Sequence, residues 1–435
     1  MKNKLSVQPY KGTRDFYPQD MHYRNWYFQV VRSVIESYGF EEYHTPLLES
    51  YDIYTAKSGE EIAHEQLFVF EDKKDRKVAI RPEMTPSVAR MVAAQIESLT
   101  PPLRWYSVAN FMRYEKPQKG RLREHWQVNV DIFGADVIEA DLEIISIISN
   151  ILKAFGADQK MFKIKLNNRR FFNDVLKYIL KVEDESIRLI SKVVDKKTKI
   201  PDEKYKEWLK EIGLSQQKII LLDKIFSSTF EELVQMMDVD SNGIRELNEL
   251  FYLIKETGLD KFCEFDFSIV RGFDYYTGTV FEVYDASPEN KRSLFGGGRY
   301  DDLVGMFKDF AISGIGFGLG DVTFQNFLEI HSLIPEHIYK KPIVLISRFH
   351  DVPLKEYFKI STLLRENNIS NFIYFSPDEK LGKQLRFAEK KGASLAIVLG
   401  ADELTDKKIS IKELKTRTQI TVKQDELISK LKEML

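Results

Sequence analysis

The sequence predicts a multidomain α+β protein in which sheet-forming sequence, interrupted by a helical insertion, is followed by a small α/β domain. Three stretches carry this. Residues 103–134 read as two strands joined by a basic loop, residues 160–261 as short lysine-rich amphipathic helices, and the tail from 342 alternates strand and helix. At 435 residues the chain is too long for one ordinary core, so two or three domains are expected.

Taken in order, an extended start precedes helical spacing over residues 21–38. Tyr23, Trp26, Tyr27, Val30, Val31, Val34 and Tyr38 share one side, and Gly39 supplies the stop. Residues 40–48 read as a strand interrupted by Pro46, which suits an edge or an interface. Residues 67–70 and 78–81 form a hairpin around the polar turn 72–75. Arg81-Pro-Glu-Met-Thr85 then leads into a helix. Thr85 followed by Pro86 is a good N-cap and first-turn pair, which explains Thr85 structurally but leaves Glu83 unexplained.

The strand over residues 124–134 alternates cleanly. Trp126, Val128, Val130 and Ile132 fall on one face, and His125, Gln127, Asn129 and Asp131 on the other. The loop before it, Lys116-Pro-Gln-Lys-Gly-Arg-Leu-Arg123, carries the cations Lys116, Lys119, Arg121 and Arg123, and Arg113 stands at its entrance. A polar sheet face with an arginine at its rim and a basic loop above suits a substrate ending in phosphates. An ordinary hairpin with a solvated outer face fits the same residues.

An alternating strand (Phe162, Ile164, Leu166) opens the helical stretch, whose charges read mostly as solvated faces. Sheet-like sequence returns at Phe267 and runs through Gly296-Gly-Gly-Arg-Tyr-Asp301 to Gly314-Ile-Gly-Phe-Gly-Leu-Gly320. A helix and linker occupy residues 325–341. The tail then reads strand (343–346), helix, strand (372–375), helix, strand (395–399), a small α/β domain with a parallel core.

Composition is that of a globular chain: 43% apolar, 12% aromatic, 30% charged. A net charge of −2 argues against a uniformly basic nucleic-acid coat but leaves a local basic surface open. The single cysteine, Cys263, excludes an intrachain disulfide and any multi-cysteine metal site. Its neighbours Phe262, Phe265 and Phe267 suggest a buried thiol. The first residues carry no apolar leader and no run approaches membrane-spanning length, so a cytoplasmic protein without a membrane partner is expected.

Neither glycine run is a familiar nucleotide loop. None ends in Gly-Lys-Ser/Thr, and residues 314–320 do not read as part of a βαβ unit with a downstream acid. Alternating glycines put one bare face on a strand, where a planar base or a closely packed helix would fit equally well.

The segment Val270-Arg-Gly-Phe-Asp-Tyr-Tyr-Thr-Gly-Thr-Val-Phe-Glu282 strongly resembles the histidine-specific segment of histidyl-tRNA synthetases. Lys11-Gly-Thr-Arg-Asp15 resembles that family's N-terminal segment, residues 40–48 its dimer-forming first motif, and Arg81-Pro-Glu-Met-Thr85 its substrate-binding turn. Residues 111–134 resemble its second motif, and Gly297-Gly-Arg-Tyr-Asp301 with residues 314–320 its third. The tail, including Lys391-Gly-Ala-Ser-Leu-Ala-Ile-Val-Leu-Gly400, resembles its anticodon-binding domain. The resemblance covers nearly the whole chain except the helical insertion.

It implies a class II catalytic domain with an antiparallel sheet over residues 1–159 and 263–328, an insertion at 160–262, a linker at 329–341 and an anticodon-binding α/β domain at 342–435. It also implies ATP-dependent ligation of L-histidine to its tRNA through a histidyl-adenylate, by a homodimer. By motif position Arg113 and Arg271 are the catalytic cations at the α-phosphate, and Arg121 and Arg123 reach the outer phosphates with bound Mg²⁺. Glu83, Met84, Thr85, Gln127, Asp131, Tyr275 and Tyr276 line the histidine site, with no protein-bound metal. Two departures stand out. Asp131 replaces a glutamate common in relatives, and Thr323 stands where most class II enzymes carry a third-motif arginine. Two other readings compete: a non-catalytic synthetase-like regulatory subunit of histidine biosynthesis, and an RNA-binding module on a degenerate synthetase fold.

Overall fold

The computed structural model describes residues 5–55, 66–118, 120–197, 200–271, 275–290, 292–339 and 343–435. Lys119 of the basic loop, Asp274 of the histidine-specific segment and the expected boundary residue Pro342 lie outside the described residues. The chain divides into two compact units, Met1–Ile334 and Pro335–Leu435.

The first unit is built on an eight-stranded sheet. From edge to edge its strands are Glu41–Glu42, Leu103–Met112, Glu124–Phe133, Gly314–Gly320, Ser293–Arg299, Thr279–Asp285, Phe162–Asn168 and Cys263–Phe265. Only the outermost pair at each edge is parallel. The six central strands are antiparallel neighbours.

Among the described residues four helices pack on one face, one of them Asn242–Glu256. Pro18–Glu36 starts with proline in its first turn, where no N–H partner is needed, and Asp20 accepts from the Tyr17 amide at 2.9 Å. It ends before Gly39, whose φ of +78° a side chain would resist. Ile138–Ala154 and Asp321–Ile330 pack beside it, and Val128, Val130 and Ile132 meet Ile144, Ile148 and Phe324 in the largest core cluster. Each fully buried branched side chain there contributes about 1.5–3 kcal/mol.

The expected strand over residues 40–48 is not one strand. Glu41–Glu42 joins the large sheet, whereas Leu48–Ser50 joins a separate three-stranded sheet with Lys77–Ile80 and Phe68–Glu71. Pro46 has no N–H for a ladder, so the chain changes sheets there. Its carbonyl and that of Thr45 accept instead from Arg81 Nη1, at 3.4 and 2.7 Å.

The expected strand at Phe162 runs over Phe162–Asn168 and belongs to the large sheet, pairing with Thr279–Asp285 and Cys263–Phe265. The helices from Arg169–Tyr178 to Asn242–Glu256 enclose a core of their own, which Phe267 and Val270 enter from the site side. Serine and threonine side chains cap three of these helices, at Ser215, Thr229 and Ser241. Cys263 is half-buried, and burial pushes its thiol up to about 12, which makes it a poor nucleophile.

The second unit holds a five-stranded sheet in the order Asn371–Ile373, Val344–Ile346, Leu395–Val398, Lys408–Glu413, Gln419–Lys423. The first three strands are parallel, as the tail pattern predicts. The last two form an antiparallel hairpin that the strand-and-helix reading missed. Among the described residues, no helix is long and apolar enough to cross a membrane.

Candidate active site

The opposite face of the large sheet, packed in part under the helix Thr85–Gln95, forms the candidate site, and its register explains the glycines. Gln127, Asn129 and Asp131 lie opposite Gly320, Gly318 and Gly316, and the last two lie opposite Gly296 and Gly298. Gly296 in turn faces Glu282. The glycine face is therefore a floor between two polar strands, while helices pack on Ile315, Phe317 and Leu319 of the other face. Side chains lie where Cβ atoms would be. A Cβ on Gly318 would fall 1.9 Å from Gln127 Nε2, one on Gly298 2.8 Å from the Tyr276 ring, and one on Gly296 2.9 Å from Arg271 Nη1. The polar face that also fitted a solvated hairpin is buried: Asn129 is 3% exposed and Asp131 1%.

Tyrosines and carboxylates crowd one end of this floor. Tyr300 and Tyr43 donate their hydroxyls to the two oxygens of Asp131. Burial pushes the Asp131 carboxyl up to about 7 even so, because two neutral hydroxyls do not replace bulk hydration. Tyr275 donates to Glu83 Oε2 at 3.1 Å, bonds the Thr85 hydroxyl, and packs 4.8 Å from the Tyr276 ring centroid. Thr85 is not the N-cap expected of it. The helix Thr85–Gln95 begins at Thr85 itself with Met84 before it, so the hydroxyl turns to Tyr275 instead of to the helix. Met84 is fully buried, its sulfur taking the Thr45 hydroxyl at 3.3 Å. A pocket of carboxylates and phenols can receive an ammonium and orient a neutral two-nitrogen ring.

The cations are distributed around the floor. Arg113, at the end of the Leu103–Met112 strand, donates through Nε to the Pro82 carbonyl at 2.9 Å. Arg271 reaches Glu282 Oε1 at 2.8 Å and is held at a φ of +58°. Burial opposes its charge, yet Tyr276 and Glu282 outweigh burial and raise its pKa. From the Leu103–Met112 strand to Gly296 is three inter-strand steps, roughly 14 Å, enough for an extended phosphate ester. Beside Arg113, burial pushes His125 down to about 3, with the Arg113 and Arg14 charges adding to it, so this imidazole is neutral.

The loop arginines are differently placed. Arg121 is half-exposed and paired with Glu115 at 3.2 Å. Arg123 donates to Tyr10 at 2.6 Å and stacks on Tyr114 with its Cζ 4.3 Å from the ring centroid. The Gly314–Gly320 strand does run straight into a helix, Asp321–Ile330, but its sheet neighbours are antiparallel. Asp321 there accepts from the Trp126 amide at 2.9 Å and from Arg14 at 2.6 Å, tying the N-terminal segment to the sheet. Thr323 donates to the Leu294 carbonyl at 2.6 Å, so its hydroxyl is already used. Sequence reasoning missed Tyr43 and the partnership of Tyr300 with Asp131. Tyr300 lay inside a quoted motif, but nothing local marks a partner 169 residues away.

A mainly antiparallel sheet with a glycine floor, arginines around it and a separate α/β unit later in the chain has class II aminoacyl-tRNA synthetase architecture. The family description "Histidyl-tRNA synthetase" matches residues 12–321, and "Anticodon binding domain" matches residues 344–434. The chain is 45% identical over 435 residues to the histidine–tRNA ligase of Leptospira biflexa, covering 100% of this chain and 99% of that one. It is 34% identical over 437 residues to that of Pyrococcus furiosus, covering 99% of each. In fold it resembles the crystal structure of histidyl-tRNA synthetase from Nostoc sp. PCC 7120, with a TM-score of 0.80 at 23% identity over 99% of this chain and 100% of that one. The chain belongs to the histidyl-tRNA synthetase family. It is an enzyme that joins histidine to tRNA with ATP as a substrate, and the regulatory-subunit reading is no better supported.

Proposed function

We propose that the reaction runs through a histidyl-adenylate formed on the glycine floor. The histidine carboxylate attacks the α-phosphate of ATP and pyrophosphate leaves; a terminal ribose hydroxyl of the tRNA then takes the histidyl group. Bringing two anions together needs fixed positive charge where negative charge builds. Arg113 and Arg271 supply it from opposite sides of the α-phosphate. Glu83, Gln127 and Asp131 accept from the ammonium, an added positive charge that keeps Asp131 ionised. Tyr275, Tyr276 and Thr85 orient the imidazole, and Met84 backs the pocket. The observation that carries this reading is the tyrosine–carboxylate pocket beside a floor flanked by Arg113 and Arg271.

Mg²⁺ accompanies ATP. Bound with ATP, it would offset charge on the outer phosphates, while Glu83, Asp131 and Glu282 hold tyrosines or Arg271. The enzyme works in the cytoplasm as a two-fold dimer through residues 40–48. Sedimentation at micromolar concentration reads the dimer directly, and a monomer contradicts it. ATP–pyrophosphate exchange that depends on histidine tests the chemistry. Absence of exchange from the folded protein rejects an adenylate mechanism.

The missing third-motif arginine makes a sharper test. A threonine whose hydroxyl is spent on a carbonyl neither stacks on adenine nor offsets phosphate charge. Arg121 is a candidate substitute, since its guanidinium is half-exposed and free to leave Glu115 for a phosphate. Arg121→Ala is expected to raise the Michaelis constant for ATP about tenfold and that for histidine much less, consistent with losing one charged hydrogen bond. Thr323→Ala is expected to move neither. The opposite pattern sinks the compensation idea.

A further inference from the structure

We propose that the mouth of the helical insertion, Asn167 to Arg170, is a clamp that positions Tyr275 and Tyr276 for histidine, acting through Arg170, Asp301 and Thr277. The proposal rests on the reading of this end of the floor as the histidine pocket. Two residues at one strand-to-helix junction, Asn167 and Arg169, grip both flanks of the segment that carries Arg271 and the two tyrosines. Upstream, Asn167 Nδ2 donates to the carbonyls of Phe267 and Ile269 at 3.0 and 3.1 Å. Arg169 Nη1 reaches the Val270 carbonyl at 3.3 Å. Downstream, the Arg169 amide donates to the Gly278 carbonyl at 2.8 Å.

Arg170 closes the clamp. Its Nη1 meets both oxygens of Glu246, at 2.8 and 2.9 Å, and its Nη2 meets Asp301 Oδ2 at 3.2 Å. That same oxygen accepts the Thr277 hydroxyl at 2.7 Å, and Thr277 Oγ1 accepts the Asp301 amide at 3.2 Å. Gly278 leaves the room needed: a Cβ there would lie 3.2 Å from Arg170 Nη1. Glu246 sits on the last helix of the insertion, Asn242–Glu256, and also takes Asn168 Nδ2 at 2.7 Å. Asn168 meanwhile caps the first helix through the Arg170 amide. The first and last helices of the insertion thus converge on one carboxylate.

The place of this junction gives it a function. Thr277 follows Tyr276, and Asp301 follows Tyr300, whose hydroxyl holds Asp131. The Thr277–Asp301 pair, with the Thr277 amide on the Arg299 carbonyl at 2.8 Å, therefore ties together the segments that carry Tyr275, Tyr276 and Tyr300, where the Tyr275 and Tyr300 rings pack edge-on 5.8 Å apart beside the histidine pocket. Arg170 locks that pair to the insertion. Arg170 and Thr277 meet on Asp301, next to Tyr300 on the histidine side of the floor, so this arm of the clamp is a positioning device for histidine more than for ATP.

Pyrophosphate exchange on the full-length protein tests this, with Michaelis constants for both substrates measured for Thr277→Val, Thr277→Ser and Arg170→Ala. Thr277→Val and Arg170→Ala are expected to raise the constant for histidine about tenfold and leave that for ATP within about twofold. Thr277→Ser, which keeps the hydroxyl, is expected to behave as the unaltered protein. Exchange by the unaltered protein separates the two readings: its absence refutes the adenylate mechanism, whereas the clamp stands or falls on the split. A folded Thr277→Val with an unchanged histidine constant, an equal rise for both substrates, or no rescue by serine overturns the clamp. Should the valine variant not fold, Arg170→Ala, on a partly exposed ion pair, gives the same reading.

Discussion

Arg271→Ala is expected to abolish histidine-dependent pyrophosphate exchange while the protein stays folded. The guanidinium lies over Gly296 on the site floor, mostly buried, with Glu282 as its ion-pair partner. A left-handed backbone at a residue other than glycine costs on the order of 1 kcal/mol and persists only where the surroundings enforce it. That strain, together with burial of the charge, fits a side chain that must be aimed. If it holds the α-phosphate as negative charge builds, its removal costs several kcal/mol of transition-state stabilisation, about a thousandfold or more in rate. A purely structural ion pair predicts something else. Glu282→Gln removes the same pair while leaving the cation, so it would then match Arg271→Ala in both melting temperature and exchange. Retained exchange in a folded Arg271→Ala protein rejects the catalytic role.

Removing residues 335–435 is expected to leave histidine activation within a few-fold of normal while aminoacylation of tRNA falls by at least about a hundredfold, the loss of a binding module rather than of chemistry. The core clusters of the first unit contain no residue beyond Ile334. The second unit has its own, around Val344, Ile346, Leu364, Ile397 and Ile409. Deleting a unit with its own core removes none of the other's core residues. The reading weakens if a soluble truncated protein loses both steps equally.

Much of the protein was legible because periodicity reports faces. The alternation at residues 124–134 gave a strand with a polar side, and alternating glycines gave one bare face. The tail's spacing gave three parallel strands, and Arg113 and Arg271 were named by motif position. Motif order supplied the family. What periodicity omits is which strand lies beside which. The sequence left the glycine face open to either a base or a helix, and only the register with Asp131 on one side and Glu282 on the other made it a floor between polar strands.

Local rules failed where a distant partner offered more. Thr85 had every feature of an N-cap, yet its hydroxyl meets Tyr275, because a buried phenol needs a partner more than a helix start that proline has already relieved of one donor. Residues 40–48 had the composition of one strand, but Pro46 divides it between two sheets. The alternation at 124–134 left Asp131 on a face that a solvated hairpin also fits, and only the resemblance assigned it to the histidine site. Tertiary burial under Tyr300 and Tyr43 raises its pKa. The sequence by itself determined the elements, their faces and the charged residues on them. The tertiary structure decided their partners, since contacts across more than a hundred residues depend on strand order and register, which no local pattern encodes.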